Sequence, residues 1–293
     1  MLLGALEAGG TKMVLSTGDE NGNVLERMSL PTTTPDETMP AIIDFFRDKR
    51  IEALGVGSFG PVDLDENSPK YGYITTTPKP HWGYYPLRGV LAEALGVPVG
   101  FDTDVNAAAI SEHALGAGKG LSSCLYVTVG TGVGGGMVVD GRILHGAMHP
   151  ELGHIIMRVH KDDPMPKGSC RFHEGCLEGL ASGTAIEARW QVKAHTLPDD
   201  HFAWELEAYY LGQMCANAVL MYSPHMIVLG GGVMHKQHLF PMVRKATQEF
   251  LNGYVQLEQI VRDIDSYIVP PALGDNAGAA GALLLAAQAL AGK

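Results

Sequence analysis

Residues 125–144, LYVTVGTGVGGGMVVDGRIL, decide the fold. Leu125–Val129 is rich in β-branched and aromatic residues and reads as a strand. Gly130–Gly136 reads as a glycine-rich turn and Met137–Val139 as a second strand, and Asp140-Gly141 turns the chain into Arg142-Ile143-Leu144. The opening of the chain has the same order. In residues 2–30, LLGALEAGGTKMVLSTGDENGNVLERMSL, the strand Leu2–Leu6 meets the turn Gly9-Gly10-Thr11-Lys12. Two further strands follow, Met13–Ser16 and Val24–Leu30, split by a polar turn. The identity between the segments is slight, yet the arrangement is one, and helices alternate with strands after each. A duplicated α/β fold with a ligand cleft between its halves is expected, with the crossover near residues 110–120. One continuous sheet is the alternative.

The remaining elements follow from periodicity and punctuation. Thr34 is expected to cap a helix with Pro35 at its first position and Glu37 closing a capping box, while Pro40 fits that helix poorly. Ala53–Gly57 reads as a buried strand, residues 63–85 as a polar, proline-rich insertion, and Pro86–Leu95 as a helix stopped by Gly96. A strand over residues 97–101 leads to Asp102–Asn106 and an alanine-rich helix. Helices are expected over 182–195, 202–221, 239–252 and 275–291, with strands at 225–229 and 266–269.

With 46% apolar and 18% charged residues, the 293-residue chain reads as globular, with one or two domains. A net charge of −11 argues against a nucleic-acid or anionic-membrane surface. A nucleotide stays compatible with that charge, because backbone N–H groups and Mg2+ neutralise phosphates locally. No apolar run reaches the roughly eighteen residues a membrane span needs. The N-terminus, MLLGALEAGGTK, has no basic region or cleavage site of a secretory leader, so a cytoplasmic protein is expected. Cys124 and Cys215 lie among apolar residues and read as core.

Three constellations carry chemistry. The glycine turns at residues 9–12 and 130–132 can each be an ordinary hairpin. At equivalent places in two halves, they can also take positive φ and clasp a polyphosphate, with Gly230-Gly231-Gly232 as a third close approach. Asp104 stands at a strand-to-helix boundary. Either Asp102 or Asp104 could cap the helix, and a cap at Asp102 leaves Asp104 as a general base. His154, Cys170, His173 and Cys176 form C-x2-H-x2-C with a His sixteen residues ahead, the donor set of a closed zinc site. A Cys170–Cys176 disulfide is the rival reading. Glu151 and Glu178 ride on the same loop.

Together these residues resemble the ROK sugar kinases (repressor, open reading frame, kinase) of the actin-like ATPase superfamily, over nearly the whole chain. The resemblance rests on Glu7-Ala8-Gly9-Gly10-Thr11-Lys12, on Asp104-Val105-Asn106, and on Glu151-Leu152-Gly153-His154 with the cluster behind it. Cys170-Arg171-Phe172-His173-Glu174-Gly175-Cys176 stands where many members have C-x-C-G-x2-G-C. With Thr75–Pro80, it is similar to the bacterial fructokinase branch. The resemblance implies a duplicated actin-like ATPase (ribonuclease H-like) α/β fold, two domains around a cleft. Residues 1–115 would form one domain and residues 116–293, with the zinc loop 151–182, the other. A C-terminal helix from about 276 would pack back on the first.

The implied activity is ATP-dependent phosphorylation of a hexose, fructose to fructose 6-phosphate, by a cytoplasmic homodimer using Mg2+ and a structural Zn2+. Asp104 is implied as the base, with Glu151, His154, Glu178, Asn106 and Thr77 around the sugar. Gly9, Gly10, Thr11, Lys12, Gly130, Thr131 and Gly132 are implied on the ATP phosphates. Gly230, Gly231 and Gly232 would lie by the adenosine, and Glu7 would help hold Mg2+. Glu7 and Thr103 depart from the Asp and Asn common in the family. His173 and the segment from Thr77 to Trp82 are expected to set the ketose preference. Glucose, mannose or an N-acetylhexosamine as acceptor, and a non-catalytic sugar sensor, are the alternatives. A zinc hydrolase needs an open metal position, which four good ligands do not leave.

Overall fold

Each half of the chain builds a five-stranded sheet, and the two sheets share one topology. The computed structural model describes residues 1–292. In the first sheet β1 (Leu3–Ala8), β2 (Lys12–Gly18) and β3 (Val24–Pro31) form an antiparallel meander. The strands β4 (Leu54–Ser58) and β5 (Val99–Thr103) add in parallel beside β1, giving the order β3-β2-β1-β4-β5. In the second, β6 (Ser123–Val129), β7 (Val133–Val139) and β8 (Arg142–Ile143) repeat the meander. Parallel additions by β9 (Ile227–Gly230) and β10 (Ile268–Val269) give β10-β9-β6-β7-β8, the same order read from the other edge. The single continuous sheet is thereby excluded among the described residues.

Packing explains why β1 and β4 are nearly continuous apolar runs while β3 is polar. The parallel strands are covered on both faces, whereas β3 is an edge exposed along its length. The helices are α1 (Pro35–Arg47), α2 (Leu87–Leu95), α3 (Asp104–Ala114), α4 (Leu177–Ala181), α5 (Gly183–Trp190), α6 (Ala203–Tyr222), α7 (Leu239–Leu251), α8 (Glu258–Val261), α9 (Ile264–Tyr267) and α10 (Ala277–Leu290). The last of these, α10, crosses β1, β4 and β5 and packs on α3, which in turn lies on β6 and β7. That approach is close: a Cβ on Gly55 would collide with the Ala282 carbonyl, and one on Gly281 with that of Ala107. Helix α6 is apolar nearly all round and forms the centre of the second core.

Several local expectations are corrected. Thr34 precedes α1 as its N-cap, but its side chain makes no capping bond; the Thr33 N–H is instead taken by Thr38 Oγ1 at 3.2 Å. Pro40 sits within an unbroken α1. Both it and Asp36, whose carbonyl loses its helical partner, are exposed, so water can satisfy that carbonyl. The helix expected to run to residue 195 ends at Trp190, where Gln191 takes φ 59°. Residues 264–267 form a helical turn, which shortens the last strand to Ile268–Val269. Trp82 is core and fully buried: it packs edge-on against Phe59 and Tyr85, and its Nε1 donates to the Thr33 carbonyl at 2.7 Å.

Candidate active site

Strand register converges the chemistry. Ala8 pairs with Ser58 and Ser58 with Thr103, so β1, β4 and β5 end level, at Gly9, Phe59 and Asp104. In the second sheet Thr128 pairs with Gly230, which sets the Gly130–Gly132 turn beside Gly231. Ligands of open α/β sheets bind at such carboxyl ends. A cavity of ≈ 810 Å³ opens there, lined by Glu7, Lys12 and Asp104 from the first half and Gly230, Gly231 and Gly232 from the second. Gly9, Gly10, Thr11 and the Gly130-Thr131-Gly132 turn do not line it. None of Gly9, Gly10, Gly130 or Gly132 takes positive φ, contrary to expectation; Gly231 does, at 89°. Gly132 is small for a different reason, since a Cβ there would meet the Glu178 carboxylate.

Asp104 is the first residue of α3 and does not cap it. Thr103 does, its Oγ1 accepting the Asn106 N–H at 3.1 Å, which corrects the assignment of the cap to an aspartate. Burial pushes the Asp104 carboxyl up to about 7, with the carboxylates of Glu7 and Glu151 adding to the rise. Burial likewise raises Glu7 above its ordinary range, opposed by Arg27 and Lys12. A carboxyl held near neutrality is what a general base at physiological pH requires.

Asp102 is a structural acid. Its Oδ1 accepts the Thr103 N–H at 2.7 Å and Asn106 Nδ2 at 2.6 Å, and His145 Nε2 lies 2.9 Å from Oδ2. Asn106, expected against the sugar, is 1% exposed and committed to Asp102.

The zinc-type cluster assembles as its spacing demands. One donor atom from each of His154, Cys170, His173 and Cys176 lies within 4.8 Å of all the others. His154 Nδ1 is 3.9 Å from Cys170 Sγ and 3.8 Å from Cys176 Sγ, and His173 Nδ1 is 3.8 Å from Cys170 Sγ. Tetrahedral zinc, with bonds of about 2.3 Å to sulfur and about 2.05 Å to nitrogen, sets such pairs about 3.6 Å apart. The N–H groups of Phe172 and Gly179 donate to the two sulfurs, as thiolates prefer. The four cysteines are free thiols, so no Cys170–Cys176 disulfide forms.

His154 turns its other nitrogen, Nε2, to within 4.0 Å of Glu178 Oε1, while Glu178 Oε2 accepts the Val133 N–H at 3.1 Å. The imidazole thus faces a carboxylate that the Val133 N–H holds at the mouth of the β6–β7 turn. Glu151 faces the same space, and burial beside the Glu178 charge raises it to about 7.

Two histidines escaped the sequence reading. His149 is buried; its Nε2 accepts the Val62 N–H at 3.1 Å and its Nδ1 lies 3.5 Å from Glu151 Oε1, so it ties the loop after β4 to that after β8. His145 makes a second tie through Asp102. Their spacing, His145-x3-His149-x-Glu151, was visible but matches no ligand pattern. Thr77 meets the Cys/His loop through its carbonyl, which accepts from Arg171 Nη2 at 3.4 Å.

A family profile described as ROK family matches residues 3–289. The chain belongs to the ROK family. It is 49% identical over 289 residues to a putative fructokinase of Bacillus subtilis, covering 99% of this chain and 96% of that one. It is 46% identical to a fructokinase of Pediococcus pentosaceus, over 99% of each. Among solved structures the ROK hexokinase of Thermus thermophilus superposes with a TM-score of 0.79 at 30% identity, covering 100% of both chains. A ROK glucokinase of Streptomyces griseus, in complex with glucose and AMPPNP, gives a TM-score of 0.76 at 26% identity over 98% of this chain and 100% of that one. The duplicated sheets of this ROK protein are those of the actin-like ATPase fold.

Proposed function

We propose that this ROK protein transfers the γ-phosphoryl group of ATP to fructose, giving fructose 6-phosphate and ADP. The observation that carries the reading is the place of Asp104. It lines the cavity that Glu7, Lys12 and Gly230–Gly232 share and feels the Glu151 charge from the carboxylates held by the zinc-type loop. The relatives at 41–49% identity named fructokinase, two of them putting 46% and 49% over nearly the whole chain, supply the sugar.

In the mechanism Asp104 accepts the proton of the sugar hydroxyl as its oxygen attacks the γ-phosphorus. The bond to the bridging oxygen breaks and leaves ADP. Lys12 lines the cavity and would meet the phosphates. The Gly9 and Gly130 amides are closed within their own turns by the Lys12 and Gly132 carbonyls, which leaves those of Gly10, Thr11, Thr131 and Gly132 for the incoming phosphates. Gly230–Gly232 makes room for the nucleoside. Glu151 and Glu178 accept from sugar hydroxyls, and a carboxylate with no hydroxyl to bind is the penalty that rejects other sugars. Glu7 is the acid that would help hold Mg2+; when bound, the ion offsets charge on the phosphates. Zinc held by His154, Cys170, His173 and Cys176 would be structural, bracing the loop that carries Glu178.

The moving units in this reading are residues 1–115 with α10 packed on them, and the remainder of 116–293, closing over the substrates to exclude water. A cytoplasmic setting keeps the thiols reduced. The enzyme is read as a homodimer, in keeping with the family resemblance. ADP release measured across fructose, mannose, glucose and N-acetylhexosamines tests the sugar. Fructose is expected to lead in kcat/KM by about tenfold, or about 1.4 kcal/mol. A panel led by glucose would discard fructose as the substrate, and a panel without turnover would discard the kinase.

A further inference from the structure

The cavity between the sheets carries a cation that the motifs do not explain. Strand register sets it there. Glu7 pairs with Val14, Val14 with Ser29, and Ser16 with Arg27, so side-chain alternation puts Glu7, Lys12, Val14, Ser29 and Arg27 on one face of the first sheet. All five line the cavity. Arg27 Nη1 donates to Asn276 Oδ1 at 3.0 Å and Nη2 to the Asp275 carbonyl at 3.2 Å, just before α10 begins. Both hydrogen-bond acceptors are neutral, and the guanidinium reaches the Glu7 carboxyl only through its field, without a direct ion pair. The wall also holds the carboxylates of Glu7, Asp104 and Asp275, against Lys12 and Arg27 as its strong bases. A polyanion entering such a wall needs every cation within reach.

We propose that Arg27 is a phosphate-binding residue that grips the ADP portion of the nucleotide, an inference that rests on the kinase reading. Lys12 and Ser16 are four residues apart on β2, about 13 Å along a strand, so Lys12 and Arg27 stand at opposite ends of a phosphate chain. Lys12 is beside Gly9–Thr11, where the transferred group sits. Arg27 is beside Gly274 and Asp275, toward the nucleoside. When a nucleotide enters, the guanidinium exchanges Asn276 and the Asp275 carbonyl for two phosphate oxygens, a bidentate, charge-assisted pair.

Calorimetric titration of the full chain with Mg-ADP tests this. Arg27→Gln should weaken ADP by about tenfold or more while the KM for fructose and the melting temperature hold, as expected when a charged hydrogen-bond partner is lost. Arg27→Lys should recover part of the loss, restoring a point charge without the fork. Asn276→Ala, which removes the resting partner and keeps the cation, should bind ADP as well as the native chain or better. The idea is overturned if Arg27→Gln binds ADP within twofold of the native chain. It is equally overturned if Asn276→Ala loses as much as Arg27→Gln, since the contact is then only a latch on α10. Failure of the native chain to bind ADP at all would remove the kinase reading and Arg27 with it.

Discussion

Asp104 is held where it is uncomfortable as an anion, because burial and the charges of Glu7 and Glu151 all favour its protonated form. Asp104→Asn keeps the shape and removes the base, so kcat should fall by about a hundredfold or more with sugar affinity nearly intact. Steady-state kinetics with fructose and a binding titration separate the two. The native pH profile follows with its sign. Asp104 and Glu151 act as carboxylates with values of about 7, so kcat/KM should rise with pH through about 7 and level off above it. The same shift works against stability: a raised carboxyl binds more protons folded than unfolded, so stability is lost as pH climbs from about 4 toward 7. At pH 8 the Asp104→Asn chain should therefore be ~1–2 kcal/mol more stable than the native one by denaturant titration, a figure discounted for the solvent that reaches the group. A less stable variant would contradict the charge account.

Among elements, the loop from Glu151 to Ser182 depends on its ligands. Its two ends are anchored, by Leu152, Met157, Leu177 and Leu180 in the core and by the buried Asp163–Arg189 pair, but residues 164–174 contain no buried residue, and residues 155–157 pair only briefly with 175–177. Purified protein should carry one zinc per chain, and Cys176→Ser should lose it. Because Cys176 caps the short helix that carries Glu178, that variant should raise the KM for fructose more than the KM for ATP. Equal losses on both would mean that the loop only supports the fold. The insertion at residues 63–85 is held differently, by an aromatic plug. Trp82→Ala should cost about 3–5 kcal/mol of stability, as large buried aromatics do, and leave the ranking of hexoses unchanged in whatever enzyme folds. A changed ranking with unchanged stability would restore Trp82 to the specificity role that its sequence neighbourhood suggested.

Across the whole molecule, two polar ties join the halves beside Glu151. Val62 reaches His149, and Asp102 reaches His145. Asp102 raises His145 above its ordinary value, chiefly through their hydrogen bond. A histidine raised on folding contributes stability that is full below about pH 6.5 and is lost as pH rises through its folded value. His145→Ala should therefore cost ~0.5–1 kcal/mol at pH 6 and less at pH 8.5, a small value because the imidazole is 39% exposed. Equal losses at both pH values would reduce the tie to packing.

The sequence by itself determined what is local and periodic. Two glycine-punctuated meanders declared the duplication, because a turn and its flanking strands are contiguous in the chain. Cys170, His173 and Cys176 declared a metal-type site, because two-residue gaps bring ligands round one point. Tertiary structure alone decided the rest. That Asp102 is a structural acid while Asp104 keeps only the Val105 N–H and faces the cavity depends on Thr103 taking the cap and on His145 arriving from the second half. That Trp82 is core depends on Phe59, Tyr85 and the Thr33 carbonyl, from three separate segments. Arg27 faces the cavity because β3 pairs with β2 in one register, and a shift of one residue would have turned it away. Such partners are chosen by register and packing between distant segments, 87 residues apart for Val62 and His149, and no pattern within either segment encodes them.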